Sequence, residues 1–487
     1  MSSARRGVAG ARRPRSRGAR QGRLALLLVS VAGVIAVVAS ALGGGGLPRL
    51  PQPGHAPAAR PGDPFAYVAS RQAQFVSRAT AGSAQVLFTK SPGGAIATAA
   101  RVSALRGMVN RATAGTGIDP NLLEGLVFVE SAGHPQIIAG SDPADAAGLT
   151  QILAQTGQSL LGMHIDLTRS RQLTKAIDTA DANGQTRRLA RLVATRAAID
   201  DRFDPRQALA GAVRYLRLAE RQFGRQDLAI VSYHMGIGNL QQVLGDYDGG
   251  RSVPFAQVYF DTTPEHQPAA YKLLSGFGDD SSLYYWRVLG AVQIMRLYRT
   301  DRRALARLAN LQTASDSNAE VLHPPDRTPS FSAPSGLAAA YQARTIVPLP
   351  ADPGRLGLAY DAAMGALASK LGAPRELYRG LRPAALALLI ELAARVRVLS
   401  GTDAPLTVAS TVSDARYQQQ LGLIDPPAAT GFSFQIARRY ASNAQARAFQ
   451  AMLDRLQALD LIAWAREPDT IEITVASDAA GAVAGRL

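Results

Sequence analysis

The residue best suited to acid–base chemistry is Glu130, which stands at the end of an apolar helix. Asp119 and Pro120 predict where this helix begins, because Asp is favoured at the N-cap and Pro at the first helical position. Gly133 and Pro135 interrupt the chain soon after Glu130. A carboxylate in the last turn meets the negative end of the helix dipole, and apolar neighbours disfavour its ionisation, so its pKa should be raised. Glu130 is therefore a candidate general acid, and a solvated glutamate at a helix end is the alternative.

Two further motifs follow Glu130 along the chain. A turn-rich segment leads into the run GLTQI at 148–152, and a helix predicted over 204–224 precedes Tyr233 and His234. That helix is predicted because its apolar residues recur every three or four positions, as on one helix face. Glycines just after His234 mark the end of the next helix.

In their order, these motifs resemble those of the soluble-type lytic transglycosylases related to goose lysozyme, over residues 117–299. The resemblance implies a mainly α, lysozyme-like catalytic domain, which we expect over residues 65–300. It implies peptidoglycan glycan strands as the substrate, with no metal or cofactor. Glu130 would be the single acid and base, cleaving the bond between N-acetylmuramic acid and N-acetylglucosamine and closing a 1,6-anhydro ring. The expected catalytic residues are Glu130 and Tyr233, and the expected substrate-binding residues are Ser131, Gly148, Leu149, Gln151 and His234.

Three positions depart from the family pattern. Asp145 replaces a glycine, Thr150 a methionine and His234 an asparagine. None of these changes removes the acid, so the reaction class is retained. Two alternatives stay open: a hydrolytic muramidase in which Asp142 or Asp145 activates water, and a non-catalytic scaffold that binds the cell wall.

Other segments of this region carry structural predictions. Residues 153–202 predict additional surface helices. Residues 284–298 place Tyr284 and four other large or apolar side chains at helical spacing, so this segment predicts a helix that closes the domain core. Tyr285 and Trp286 are further candidates for lining a glycan groove.

The N-terminal segment predicts a membrane anchor. Residues 1–23 contain eight arginines and no acidic residue, and residues 24–42 contain no charge. About 20 apolar residues are needed to span a bilayer, and positive charge stays on the cytoplasmic side. We therefore expect a cytoplasmic tail, a single-pass helix and an extracytoplasmic catalytic domain, joined by a Gly/Pro-rich linker over 43–64. The small residues at 39–41 leave secretion after signal cleavage as the alternative.

This arrangement argues against nucleic acid as a partner. Half of the net charge of +16 belongs to the N-terminal tail, ahead of the predicted anchor. Hydrophobic residues make up 47% of the chain, which excludes general disorder. The absence of cysteine excludes disulfides and thiolate metal sites.

The C-terminal part predicts a small α+β domain over 337–478, after a polar linker over 301–336. Helices are expected over 354–371, 382–399 and 443–460, and strands over 405–412, 431–440 and 471–477. This part weakly resembles the zinc peptidases of the D-Ala-D-Ala carboxypeptidase type. No histidine follows His323, so the ligands of a catalytic zinc are missing and the module is interpreted as degenerate.

Overall fold

The computed structural model describes residues 63–278, 280–314 and 317–483. The predicted basic tail, the predicted anchor over 24–42 and nearly all of the linker over 43–64 lie outside these residues. Within the described ranges, no helix is both long and apolar enough to cross a bilayer.

The first part of the described chain is helical. Its α-helices are α1 Gln72–Gly82, α2 Gln85–Thr89, α3 Ala95–Ala104, α4 Arg106–Thr113, α5 Pro120–Ser131, α6 Ala154–Leu161, α7 Leu167–Ala182, α8 Thr186–Ala197, α9 Pro205–Phe223, α10 Gln226–Met235, α11 Ile237–Asp248, α12 Phe255–Asp261, α13 Pro268–Gly276, α14 Tyr284–Thr300, α15 Arg302–Gln312 and α16 Ser317–Leu322. The surface helices predicted over 153–202 are present as α6, α7 and α8.

Capping explains the bounds of the two helices that the sequence predicts most directly. The Asp119 carboxylate accepts a hydrogen bond from the Asn121 amide at the start of α5. Asp204 caps α9 in the same way, accepting from two backbone amides of its first turn. Both helices end at a residue in the left-handed conformation, Ala132 and Gly224. The predicted helix starts at 119 and 204 are therefore confirmed.

Helices α5 and α14 pack closely because Gly125 has no side chain. A Cβ atom at Gly125 would lie 2.8 Å from the backbone oxygen of Val288 on α14, closer than packed atoms approach. Val288, Ala291 and Met295 are fully buried in this interface, which confirms that α14 closes the core. The close approach fixes how the start of α14 meets the end of α5.

The remaining residues form a small α+β region, as predicted. Its helices are α17 Pro334–Gln342, α18 Pro383–Ser400, α19 Ala415–Leu421, α20 Asn443–Ala458 and α21 Ala479–Val483. Its strands are β1 Val347–Pro348, β2 Leu358–Tyr360, β3 Gly380–Leu381, β4 Leu406–Ser410, β5 Ser433–Ala437, β6 Ile462–Arg466 and β7 Thr470–Val475. The main sheet has the strand order β2-β4-β5-β7-β6; β2 and β4 are parallel, and the other pairs are antiparallel.

Two predictions for this part were wrong. The helix expected over 354–371 is instead two short 3-10 turns and strand β2. Gly357 and Gly365 have positive φ there, which ends regular helix. The segment 301–336 is not an extended linker, because it contains α15 and α16. Leu305 of α15 is fully buried, so this polar-looking segment uses an apolar helix face to pack.

The two parts pack against each other through arginine contacts. Arg455 of α20 pairs with Asp63 at 2.9 Å and donates to the backbone oxygens of Phe65 (2.7 Å) and Phe260 (3.1 Å). On the helical side, Arg78 of α1 donates to the backbone oxygen of Leu459 at 3.3 Å. The C-terminal region therefore holds the start of the described chain against the helical region.

Candidate active site

Glu130 lies in the last turn of α5, next to the first residue of α14. The Tyr284 hydroxyl donates a hydrogen bond to Glu130 Oε1 at 2.6 Å. Glu130 keeps some exposure to solvent, while protein atoms surround its carboxyl group. Burial raises the pKa of Glu130 to about 7, and the hydrogen bond from Tyr284 opposes part of that rise. The raised pKa expected from the sequence is thus present, and loss of hydration is its main cause.

The sequence did not identify Tyr284 as a site residue. Its helical spacing placed it among core residues, and it is indeed buried. Burial raises the pKa of the Tyr284 phenol well above its usual value, and the nearby Glu130 carboxylate adds to that rise. Tyr284 therefore stays protonated and can donate a hydrogen bond to Glu130 whether the carboxyl group is neutral or ionised. The two residues are 154 positions apart, so no local signal in the sequence connects them.

Tyr233, on α10, lies beside this pair but bonds elsewhere. Its hydroxyl donates to the backbone oxygen of Thr150 at 2.8 Å. Its ring packs edge-on against Tyr215 of α9, with centroids 5.0 Å apart. Burial raises the pKa of Tyr233, and the charge of Glu130 raises it further, which indicates that the two side chains are close. The Tyr233 hydroxyl therefore links α10 to the 148–152 segment.

His234 contacts Tyr284 instead of standing alone at the helix end. The imidazole stacks on the Tyr284 ring, with centroids 5.0 Å apart and planes 26° from parallel. Its Nδ1 lies 2.9 Å from the Ser281 hydroxyl oxygen. His234, Tyr284 and Glu130 thus form one connected group.

The segment 148–152 is shaped by backbone constraints. Gly148 has φ of 76°, and a Cβ there would lie 1.8 Å from the backbone oxygen of Arg202. Leu149 is fully buried in the core. Gln151 has φ of 49° and uses its Nε2 to donate to the backbone oxygens of Gly148 (2.8 Å) and Ile137 (3.3 Å). These contacts give Gly148 and Leu149 structural roles, and they occupy the donor group of Gln151.

Ser131 is also engaged inside the fold. Its hydroxyl donates to the backbone oxygen of Val127 and accepts from the amide of Gly133, both at 3.2 Å. The side chain is buried. Ser131 therefore stabilises the turn that ends α5 directly after Glu130.

The loop aspartates differ in their surroundings. The single Nε–H of Arg171 donates a shared hydrogen bond to both carboxylate oxygens of Asp142, at 2.8 and 3.0 Å. This shared bond, with a smaller contribution from the Ala144 amide, holds the pKa of Asp142 below its usual value. Because Arg171 belongs to α7, this contact connects α7 to the loop that follows the Glu130 helix. Asp145 is half-buried in the same loop.

The aromatic candidates for a groove lining divide into two cases. Trp286 is fully buried, so it cannot line an open groove, and that prediction was wrong. Tyr285 is half-buried and packs edge-on to Phe255, with centroids 6.2 Å apart. Tyr285 differs from its neighbour Tyr284 because successive residues of a helix point about 100° apart.

A second carboxylate on α5 has a different role. Glu124 is fully buried, and its Oε2 accepts hydrogen bonds from Arg106 at 2.8 Å and Arg299 at 2.6 Å. This pairing joins α4, α5 and α14, so Glu124 holds together the helices that carry Glu130 and Tyr284. Among the described residues, no group of histidine and acidic side chains could hold a metal ion.

The chain is similar to a known protein family over part of its length. Residues 107–182 and 181–251 match the family model described as the transglycosylase SLT domain. A search of curated proteins finds no match to the chain. The matched residues include Glu130, Tyr233 and His234, whereas Tyr284 lies outside them. The weak peptidase resemblance of residues 337–478 is not supported by these findings and stays a prediction.

Proposed function

We propose, on the premise that the chain carries a lysozyme-like transglycosylase SLT domain acting on peptidoglycan, that Glu130 is its single acid–base residue. The reaction is cleavage between N-acetylmuramic acid and N-acetylglucosamine with formation of a 1,6-anhydro end. The observation that carries this proposal is the Glu130 carboxyl group, with a pKa of about 7 and a hydrogen bond from Tyr284. A group with a pKa near the working pH can give and take a proton with similar ease.

Glu130 gives up one proton and regains another in this reaction, so it ends in the form in which it began. The protonated Glu130 gives its proton to the glycosidic oxygen while the bond from that oxygen to the muramic C1 breaks. The substrate acetamide stabilises the positive charge at C1. The Glu130 carboxylate then takes the proton of the muramic C6 hydroxyl, and that oxygen bonds to C1. Glu130 ends protonated, and Tyr284 donates to it throughout, most strongly when it is charged.

The structure offers less support for hydrolysis through Asp142. Two-carboxylate glycosidases need a second carboxylate free to activate water. Asp142 is paired with Arg171 in a salt bridge, through one N–H that both of its carboxylate oxygens share. Among the described residues Asp145 has no arginine partner of this kind, so a hydrolytic product would point to Asp145.

The same proposal includes an extracytoplasmic site close to a membrane. The charge-free run 24–42 is proposed as a single-pass anchor with the N-terminus in the cytoplasm. About 20 residues separate it from Asp63 and span at most roughly 70 Å when extended. Asp63 is held by Arg455 and Arg395, so residues 337–478 are proposed as a non-catalytic module that fixes where this tether meets the enzyme. Recovery of the full-length protein from the culture medium instead of the membrane fraction would overturn the anchor.

Mass spectrometry of digested peptidoglycan tests the reaction. Purified full-length protein should release products lighter by one water than ordinary muropeptides. Glu130→Gln should release none, because an amide cannot give its proton to the bridging oxygen. Glu376→Gln, the same change at an exposed glutamate, is the matched control and should retain activity. Reducing-end products would establish hydrolysis instead, and an undigested glycan that still binds the protein would leave a wall-binding scaffold.

A further inference from the structure

His234 connects two elements that meet at Glu130. It is the next-to-last residue of α10, and it contacts the segment before α14 and the first residue of α14. The contact with Ser281 reaches the 3-10 turn Asp280–Leu283 that leads directly into α14. The contact with Tyr284 is a ring-on-ring stack. One side chain therefore touches both the entry turn of α14 and the phenol that bonds to Glu130.

We propose that His234 is a positioning residue that acts through Tyr284: its stacked ring holds the Tyr284 phenol in the orientation that donates to Glu130. The consequence for catalysis rests on the function proposed above. The geometric part of the proposal is that the Glu130–Tyr284 hydrogen bond depends on the His234 ring, and this part is independent of the proposed function.

The structural reason lies at the start of α14. The N-cap residue of α14 is Leu283, whose side chain cannot accept a hydrogen bond from the backbone amides of the first turn. The start of α14 is therefore not held by a side-chain cap. The hydrogen bond to Glu130 is short, at 2.6 Å, and its geometry changes with a small rotation of the phenol. The imidazole covers one face of the ring and limits that rotation. Ser281, which is buried, fixes the imidazole in turn through its contact with Nδ1.

The departure from the family pattern fits this role. The sequence has His234 where the family it resembles has asparagine. An asparagine side chain can also form a hydrogen bond, but it has no aromatic ring to cover the face of Tyr284. Aromatic side chains attract each other in stacked and edge-on arrangements, beyond the area that they bury. The His234 ring therefore gives Tyr284 an aromatic stacking contact that an asparagine side chain cannot provide.

The competing interpretation is direct contact between His234 and sugar, and the two make different predictions. A residue that only binds substrate changes KM and leaves the ionisation of Glu130 unaltered. A residue that positions Tyr284 changes kcat and the ionisation of Glu130, since the bond from Tyr284 favours the carboxylate. Among the described residues, the ionisable groups that interact with the Glu130–Tyr284 pair include Tyr233 of α10 and Tyr215 of α9, and neither is altered by the changes below.

Three histidine variants separate these possibilities. His234→Ala removes the ring, His234→Phe keeps a ring without nitrogen atoms, and His164→Ala removes an exposed histidine as the control. We expect His234→Ala to lower kcat about tenfold or more, the scale of loss when a catalytic contact is misplaced. His234→Phe should recover most of that loss, and His164→Ala should match the parent. A loss in KM alone, or no recovery with phenylalanine, would overturn the proposal.

The double variant His234→Ala/Tyr284→Phe gives the sharpest test in the same assay. If His234 acts only through the Tyr284 hydroxyl, the double variant is no slower than Tyr284→Phe alone, because the second change removes nothing further. If the two effects multiply, His234 acts independently of Tyr284, and the proposal is wrong.

A measurement without turnover keeps this inference separate from the proposed function. The Glu130 carboxyl carbon can be titrated by carbon NMR in the full-length protein labelled at glutamate, with Glu130→Gln to assign its signal. The pKa should rise in His234→Ala and in Tyr284→Phe, and it should stay at the parent value in His234→Phe and His164→Ala. This result would hold even if the protein released no anhydro product. An unchanged Glu130 titration in His234→Ala would refute the inference.

Discussion

Replacing Tyr284 with phenylalanine tests the geometry of the site most directly. The change removes one hydroxyl from a buried ring and leaves the ring in place. That hydroxyl donates to Glu130 Oε1 at 2.6 Å, so the variant leaves the carboxyl group buried without this donor. Phenylalanine fits the same space, and we expect α14 and its packing against α5 to be retained.

The size of the effect follows from the value of a hydrogen bond to a charged group. Such a bond contributes about 1.5–3 kcal/mol, and 1.36 kcal/mol corresponds to one pKa unit. The protonated acid also accepts from Tyr284, so only part of this energy distinguishes the two forms. We therefore expect the pKa of Glu130 to rise by about one from its value of about 7. The direction is fixed, because the bond favours the carboxylate and its loss favours the acid.

The assay is the pH dependence of product release from peptidoglycan. Under the proposed mechanism the free enzyme must carry protonated Glu130, so kcat/KM should fall as the pH rises through the pKa of this residue. In Tyr284→Phe this alkaline limb should move upward by about one pH unit, and kcat should fall about tenfold as the carboxyl group loses its fixed orientation. Tyr285→Phe removes the neighbouring hydroxyl and is the matched control. An unchanged alkaline limb in Tyr284→Phe, or the same movement in Tyr285→Phe, would refute the reasoning.

Three predictions concern stability. Folding raises the pKa of Glu130, so its ionisation lowers the free energy of unfolding as the pH rises from about 4.5 to about 7. Glu130→Gln should therefore stabilise the protein by at most roughly 3 kcal/mol at pH 8 and give no stabilisation below pH 4.5. Thermal unfolding at both pH values measures the difference. An equal gain at both pH values would contradict it. Gly125→Ala should lower the free energy of unfolding by about 1–3 kcal/mol and lower activity, because the new Cβ pushes α5 away from α14. Urea unfolding measures this change, and Gly245→Ala, where the new Cβ meets no other atom, is the control. Glu124→Gln should cost roughly 3 kcal/mol in the same unfolding assay, since it removes the buried negative charge that pairs with two arginines, and wild-type stability would show that the pairing contributes little.

Glutamate 130 illustrates how far the sequence leads. Its helix could be predicted because capping residues and a terminating glycine are local signals, and each acts within a few residues. The direction of its pKa followed from the apolar composition of the same helix. The motifs around Glu130, Gln151 and Tyr233 identified the family that the SLT match supports.

The partners of these residues were less predictable. Tyr233 was expected to be catalytic, and the sequence did not show that its hydroxyl donates to the backbone oxygen of Thr150. Ser131 was expected to bind sugar, and its hydroxyl stabilises the end of α5. A motif records which residue types recur, but it does not record which atom each side chain contacts.

What the sequence by itself determined is therefore where helices such as α5 and α9 lie, and that a carboxyl group stands at the end of α5. Apolar spacing, caps and glycines specify each helix over one or two turns, and the position of Glu130 at a helix end follows from them. Only the tertiary structure decided which tyrosine donates a hydrogen bond to Glu130. Tyr284 reaches Glu130 because Gly125 lets α14 approach α5, and 154 residues separate the two ends of that contact. Such a contact depends on how helix faces fit together in space, and the local sequence pattern of neither helix contains that information.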